Sequence, residues 1–361
     1  MQRKVFFTPG PAHLYPTFEK HLQTALDEQI GSISHRSKQF KAIYQYTVEQ
    51  LRTLLAIPPQ SAILFTGSAT EIWERVLQSC VEKESFHLVN GAFSKRFYEF
   101  AAELGKKAIK QEAPFGQGFN TGQIHIPHSA ELVCLTHNET SSGVSMPVEA
   151  MHQLKKDNPD TLFVVDIVSS APYPALDYSL IDSSFFSVQK GFGMPAGLGV
   201  WIVNEKCLQK AESLKAKGLQ IGTYHSLPSL WSKYTAYETP ATPNVLSIYL
   251  LGKIAEDMNR EGIASIRKQT EEKAALLYSF LEKSKLASVA VQNPQHRSQT
   301  VVVADVKQSS AEYLQDIAKT GNVVGSGYGS YKDKQIRIAN FPANTTAQVE
   351  ALIQVMQQLE A

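Results

Sequence analysis

Leu162-Phe163-Val164-Val165-Asp166 and Ser184-Phe185-Phe186-Ser187-Val188-Gln189-Lys190 are the two stretches on which the reading of the fold turns. Both are rich in β-branched and aromatic residues, the composition of a strand buried on both faces. Asp166 closes the first, and Lys190 follows the second, twenty-four positions further on. In an open α/β sheet, ligands gather at the carboxyl ends of the strands, so both groups are expected at a functional edge. A buried cation near a buried anion can be a structural ion pair. A buried lysine is rare without a partner or a purpose, however, and desolvation lowers its pKa and makes the amine nucleophilic. The pair therefore leans towards carbonyl chemistry.

Working outward, Ala62-Ile63-Leu64-Phe65 reads as a further strand, followed by the turn Thr66-Gly67-Ser68-Ala69-Thr70. Ile72, Trp73, Val76, Leu77 and Cys80 then recur at helical spacing. Phe86 to Val89 is expected as a strand, with a helix from about Ser94 to Leu104. Glu131 to Leu135 is another strand, running into the polar loop Thr136-His137-Asn138-Glu139-Thr140. A helix over Pro147 to Lys156 and a strand over Gly199 to Val203 complete an α/β unit with a mostly parallel sheet flanked by helices. From about Pro243 the pattern changes to long helices, Val245 to Arg260 and Ile266 to Leu286. The tail offers strands at 300–304 and 335–339 and helices at 310–319 and 346–359, the makings of a smaller α+β domain. Gly325-Ser326-Gly327-Tyr328-Gly329 reads as a flexible loop.

Composition narrows the function. The 361 residues are 43% hydrophobic and carry 35 Lys plus Arg against 34 Asp plus Glu. Such a balance supplies no field for a nucleic-acid backbone or an anionic membrane, so neither partner is expected. Cys80, Cys134 and Cys207 are widely separated, which argues against a disulfide framework or a zinc site and fits a reducing cytoplasm. His125 and His128 are separated by Pro127, and no metal is assigned. The start, Met1 to Phe7, has too short an apolar run for a signal peptide, and no apolar run reaches the length of a bilayer. A cytoplasmic protein is expected.

The turn Gly67-Ser68-Ala69-Thr70 opens a helix after a strand. Free N–H groups and the helix dipole there suit a phosphate, although Ser and Thr also cap helices that bind nothing. No Walker A or GxGxxG pattern follows the first strand. A phosphate turn, a strand-end carboxylate and a strand-end lysine, in that order, describe a pyridoxal phosphate site. Phe93, just after the strand at 86–89, is placed to cover the cofactor ring.

These residues carry a resemblance to a known family. Thr8-Pro9-Gly10-Pro11, Ser34-His35-Arg36-Ser37-Lys38-Gln39-Phe40, Thr66-Gly67-Ser68-Ala69-Thr70 and Asn138-Glu139-Thr140-Ser141-Ser142-Gly143-Val144 are its first half. Asp166, Ser187-Val188-Gln189-Lys190-Gly191, Glu238-Thr239-Pro240-Ala241-Thr242-Pro243 and Ile336-Arg337-Ile338-Ala339-Asn340 complete it. In order and spacing the chain resembles the class V aminotransferases of the fold type I pyridoxal phosphate enzymes. Among them it is most similar to the phosphoserine aminotransferases of serine biosynthesis. The resemblance implies that Lys190 carries the cofactor and shuttles the proton. It implies that Asp166 pairs with the ring nitrogen, Phe93 stacks on the ring and Thr140 bonds the ring hydroxyl. Ser68, Ala69 and Gln189 would hold the phosphate, with Thr239 reaching it from the other subunit of a homodimer. Arg337 would grip the substrate carboxylate, and His35 and Arg36 would meet the substrate side chain.

Residues 16–255 are then expected to form the large cofactor-binding domain, and 1–15 with 256–361 the small one. The sequence departs from the phosphoserine pattern in three places. Ser330-Tyr331-Lys332-Asp333-Lys334 replaces a second His-Arg pair, the phosphate turn is not Gly-Gly-rich, and Phe93 replaces a common tryptophan. His35, Arg36 and Lys332 are left to hold a dianion. Two other activities thus stay open, an alanine– or serine–glyoxylate aminotransferase and a non-enzymatic binding protein in which Asp166 and Lys190 merely pair. A cysteine desulfurase needs a nucleophilic cysteine on a mobile loop, and none of the three cysteines falls in one.

Overall fold

Alternate residues of the central strands bury into different cores. Ile63, Phe65, Val133, Leu135, Phe163 and Val165 share one apolar cluster, while Ala62, Leu64, Leu132, Cys134, Leu162 and Val164 belong to another. That period of two places a single sheet between two layers of helices. In the computed structural model, which describes residues 3–360, the sheet has seven strands. Their order is Ala62–Thr66, Gly199–Val203, Ser183–Ser187, Leu162–Asp166, Leu132–Thr136, Glu84–Val89 and Lys107–Glu112. Only Gly199–Val203 runs antiparallel to its neighbours. The register sets Thr136 beside Asp166, and Asp166 beside Phe185, so the carboxyl ends of the parallel strands share one edge. One face packs on Lys38–Leu55 and Val245–Glu261, the other on Ala69–Cys80 and Glu205–Ala216.

A second, five-stranded sheet is ordered Val5–Phe7, Asn322–Ser326, Gln335–Ala339, Val301–Val306 and Ala287–Val289. The N-terminal strand pairs in parallel with Asn322–Ser326, so the chain's start packs with its tail. Helices Ile263–Leu281, Ser310–Ala318 and Thr346–Gln358 cover this sheet over a third core that includes Phe7, Leu277, Tyr313, Ile336 and Leu352. Residues 1, 2 and 361, the outermost positions of the expected small domain and the first of the expected signal-free start, lie outside the described residues. The expected boundary between 255 and 256 falls inside the helix Val245–Glu261, and the nearest break is Gly262.

Two expectations change, and one strand is found that the sequence reading does not include. The helix that starts at Ile263 ends at Leu281 rather than Leu286, because residues 287–289 pair as an edge strand. Lys107–Glu112 is a strand that its polar composition hides, since an edge strand needs little apolar alternation. Gly325 and Ser326 are not a flexible loop but strand residues paired with Arg337 and Ile336. Glycine is needed at 325 for close packing, because a Cβ there would stand 2.7 Å from Pro9 Cδ.

Candidate active site

Lys190 leaves the strand end at Ser187 and is buried, 8% exposed, below the N-terminal turn. Its Nζ donates to Thr140 Oγ1 at 3.4 Å and lies 5.3 Å from the centre of the Phe93 ring. Burial pushes the amine down to about 8, against the pull of Asp166 and with the repulsion of Arg337. The turn above it is shaped for this side chain. Gly10 has φ +139°, and a Cβ there would stand 2.9 Å from Lys190 Cε.

Asp166 does not pair with Lys190: no ion pair within 4.0 Å joins them. Its Oδ2 accepts from Trp73 Nε1 at 3.0 Å and its Oδ1 from the Val168 N–H at 2.8 Å. Burial raises this carboxyl to about 6, and the two hydrogen bonds only partly offset that. The structural ion pair, on which the non-enzymatic reading depended, is therefore not formed. The two groups stand apart, each desolvated and each held by other partners.

Phe93 lies in the first turn of helix Ala92–Glu103. A buried carboxylate, Glu139, fastens that turn, accepting from Phe93 N at 3.3 Å, Ser94 N at 2.8 Å and Ser94 Oγ at 2.8 Å. The same carboxylate accepts from Ser141 N at 3.1 Å and Ser141 Oγ at 2.7 Å. An anion at a helix N-terminus satisfies donors that the helix leaves free and complements its dipole. Thr140, next in the chain, is thereby fixed opposite Phe93.

Arg337 reaches this site from the second sheet. Its Nε donates to Ser326 O at 2.8 Å and one Nη to Thr140 O at 3.4 Å. No carboxylate of the described residues lies within 4.0 Å of it, and burial lowers its pKa. A largely desolvated guanidinium without an anion is suited to an incoming carboxylate.

At the turn after Ala62–Thr66, Ser68 caps helix Ala69–Cys80 by accepting from Glu71 N at 3.2 Å. Ala69 N–H donates to Ser187 Oγ at 3.0 Å, and Gly67 N–H to Glu71 Oε2 at 3.1 Å. The Ser68 N–H makes no hydrogen bond within the described residues. Gln189 holds a buried amide oxygen without a partner. Glu71 also pairs with His225, and that contact together with Gly67 N–H keeps its carboxyl below the usual range although burial opposes it.

Arg36 and Thr239 form a second cluster, with His35 beside Arg36 in the chain. Arg36 donates to Thr239 O at 3.0 Å and pairs with Glu238 at 3.4 Å. Lys41 at 2.8 Å and Lys233 at 3.4 Å surround the same carboxylate. Thr239 Oγ1 donates to Ala241 O at 2.7 Å, while Thr239 shares a cavity with Thr66, Gly67 and Glu71. No hydrogen bond or ion pair links this cluster to Lys190 within the chain. The structure thus gathers Phe93, Thr140, Asp166, Lys190 and Arg337, sets Ser68, Ala69 and Gln189 on adjoining turns, brings Thr239 to the cavity beside the Gly67 turn, and gives His35 and Arg36 no hydrogen bond or ion pair to Lys190 among the described residues. Trp73, Ser187 and Glu139 were missed from sequence. Only the indole gives a signal there, since a buried Trp N–H needs an acceptor.

The donor set fits pyridoxal phosphate: a buried amine of lowered pKa, a carboxylate across from it, an aromatic face, and a helix N-terminus with an unengaged N–H. Cys80, Cys134 and Cys207 are all buried and free, with Cys80 and Cys207 in helices and Cys134 in a strand, so no nucleophilic thiol competes for the chemistry. Among the described residues no cluster of metal ligands occurs.

Comparison with known proteins agrees. A solved phosphoserine aminotransferase from Cytophaga hutchinsonii is 53% identical, with a TM-score of 0.97 over 99% of both chains. A phosphoserine aminotransferase of Rhodococcus opacus is 27% identical over 93% of this chain and 90% of its own. An alanine–glyoxylate aminotransferase structure from Nostoc, 19% identical with a TM-score of 0.81 over 99% of this chain and 96% of its own, shares the fold. The family model of the class V aminotransferases matches residues 6–352, and with Lys190, Asp166 and Phe93 at one sheet edge the chain belongs to that pyridoxal phosphate-dependent family.

Proposed function

We propose that this chain transfers the amino group of phosphoserine to 2-oxoglutarate, giving 3-phosphohydroxypyruvate and glutamate, as a cytoplasmic homodimer of serine biosynthesis. The observation that carries the reading is the buried Lys190 amine, free of any carboxylate, between Phe93, Thr140 and Arg337. The 53% identity to a phosphoserine aminotransferase supports the substrate. Three unpaired cysteines agree with a reducing compartment.

When bound, pyridoxal phosphate supplies an aldehyde that condenses with amines and a ring that draws electrons from the substrate α-carbon. Lys190 Nζ, with a pKa of about 8, is partly neutral near physiological pH and would be the nucleophile that holds that aldehyde. The same amine would move the proton at the substrate α-carbon, as base and then acid. Asp166, fixed by Trp73 and Val168, would hold the proton of the ring nitrogen. Phe93 would cover the ring, and Thr140 would hold its hydroxyl. Ser68, Ala69 and Gln189 would meet the cofactor phosphate. Arg337 orients the substrate carboxylate, which fixes the α-carbon near Nζ. His35, Arg36 and Thr239 act across the subunit boundary, where Arg36 brings its charge to the substrate phosphate.

The experiment is reduction of the purified holoenzyme with borohydride, followed by peptide mapping, together with an amino-donor panel. A pyridoxyl group on Lys190 and faster turnover of phosphoserine than of serine or alanine are expected. Label elsewhere would overturn the role of Lys190. Serine or alanine reacting faster than phosphoserine would replace the substrate with that of a glyoxylate aminotransferase. Light scattering checks the dimer.

A further inference from the structure

Tyr328 belongs to the glycine-rich segment that sequence alone reads as a loop, and it touches two of the proposed site residues at once. Its ring centre is 5.1 Å from that of Phe93, tilted by 47°, and 5.3 Å from the guanidinium carbon of Arg337. The segment around it is anchored rather than free. Tyr331 stacks on Phe115 at 4.0 Å with an angle of 8°, and Gly327 N–H donates to Gln335 O at 2.6 Å. Among the described residues Arg337 itself has two carbonyl acceptors, Ser326 O and Thr140 O, and no carboxylate to define its plane.

We infer that Tyr328 is a positioning residue for substrate carboxylates: its ring face holds the Arg337 guanidinium while the ring packs at a tilt against Phe93. It thereby couples the arginine of one sheet to the aromatic cover of the other. The attraction belongs to the π-face, because a guanidinium over an aromatic ring is drawn by the ring quadrupole. The phenol oxygen is not required. This inference rests on the proposed role of Arg337 as the carboxylate grip.

Three variants of the holoenzyme separate the parts: Tyr328→Phe keeps the face, Tyr328→Leu keeps apolar contact with Phe93 but removes the face, and Arg337→Ala removes the grip. The readouts are calorimetric binding of glutarate, an unreactive dicarboxylate, and KM against kcat for glutamate. Tyr328→Leu is expected to weaken glutarate and raise KM by roughly threefold to thirtyfold, with kcat changed less. Tyr328→Phe is expected to stay within about twofold of the parent on both measures. If Arg337→Ala weakens glutarate while Tyr328→Leu does not, or if Tyr328→Phe is as impaired as Tyr328→Leu, the inference is overturned and the role of Arg337 survives. If Arg337→Ala leaves glutarate binding intact, the carboxylate grip itself is wrong and the role of Tyr328 falls with it.

Discussion

Asp166→Asn separates what the site costs the fold from what it gives the reaction. In the apoprotein the carboxyl sits at about 6, raised chiefly by burial from its ordinary value of 3.8. A folded-state pKa above the unfolded one means that the native protein takes up a proton more readily than the unfolded chain. Stability therefore rises as pH falls through about 6, and the cost of the buried charge is fully present above it. The cost of the buried charge is on the order of 3 kcal/mol, roughly half of which is recovered between pH 7.5 and pH 5. Asparagine does not titrate. Its amide must also face either the Trp73 or the Val168 donor with its own N–H group, which adds a penalty that does not change with pH. The unfolding free energy of the parent minus that of Asp166→Asn should thus grow by roughly 1–2 kcal/mol on going from pH 7.5 to pH 5, whatever the constant offset. Lys190, with its pKa of about 8, stays charged across most of this window and contributes little to the difference. Urea unfolding of both apoproteins at the two pH values measures it. A difference that is flat with pH, or that shrinks towards pH 5, would refute the claim that Asp166 is buried as a costly anion. The holoenzyme of the variant should at the same time lose most of its transaminase rate, since an amide cannot hold a proton on a ring nitrogen as a carboxylate does.

Glu139→Gln should destabilise the protein by about 3 kcal/mol, because five donors converge on a buried carboxylate and an amide oxygen can accept from only some of them. Chemical denaturation checks this, and a loss below about 1 kcal/mol would mean that the first turn of Ala92–Glu103 is held by something else. Gly10→Ala places a methyl 2.9 Å from Lys190 Cε at a φ that alanine resists. It should cost about 1–3 kcal/mol and slow the reaction of added pyridoxal phosphate with Lys190, followed by absorbance; an unaltered rate would show that the turn does not guide the lysine.

The parts of the site that were legible in sequence are those that a single strand end displays. Leu162–Asp166 and the run to Lys190 announce themselves because both faces of the sheet are buried, so Leu162–Val165 is apolar throughout and Phe185, Phe186 and Val188 lead to Lys190. Trp73 and Glu139 were not legible, because what they do depends on elements that meet only in the folded chain. Trp73 lies ninety-three positions from Asp166 and reads as one more apolar residue of a helix, yet its indole N–H is what orients the carboxylate. Glu139 reads as a loop residue and instead caps a helix forty-six positions before it. The misreading at Gly325 has the same origin. Glycine signals freedom when judged along the chain, whereas here it marks the close passage of Pro9 and carries Tyr328 towards Arg337. The reactive groups of this fold are therefore set by strand order, but their pKa values and orientations are set by partners from distant segments. For that reason a substitution at Trp73, which directly bonds Asp166, should disturb that carboxylate more than most changes at the mouth of the cleft.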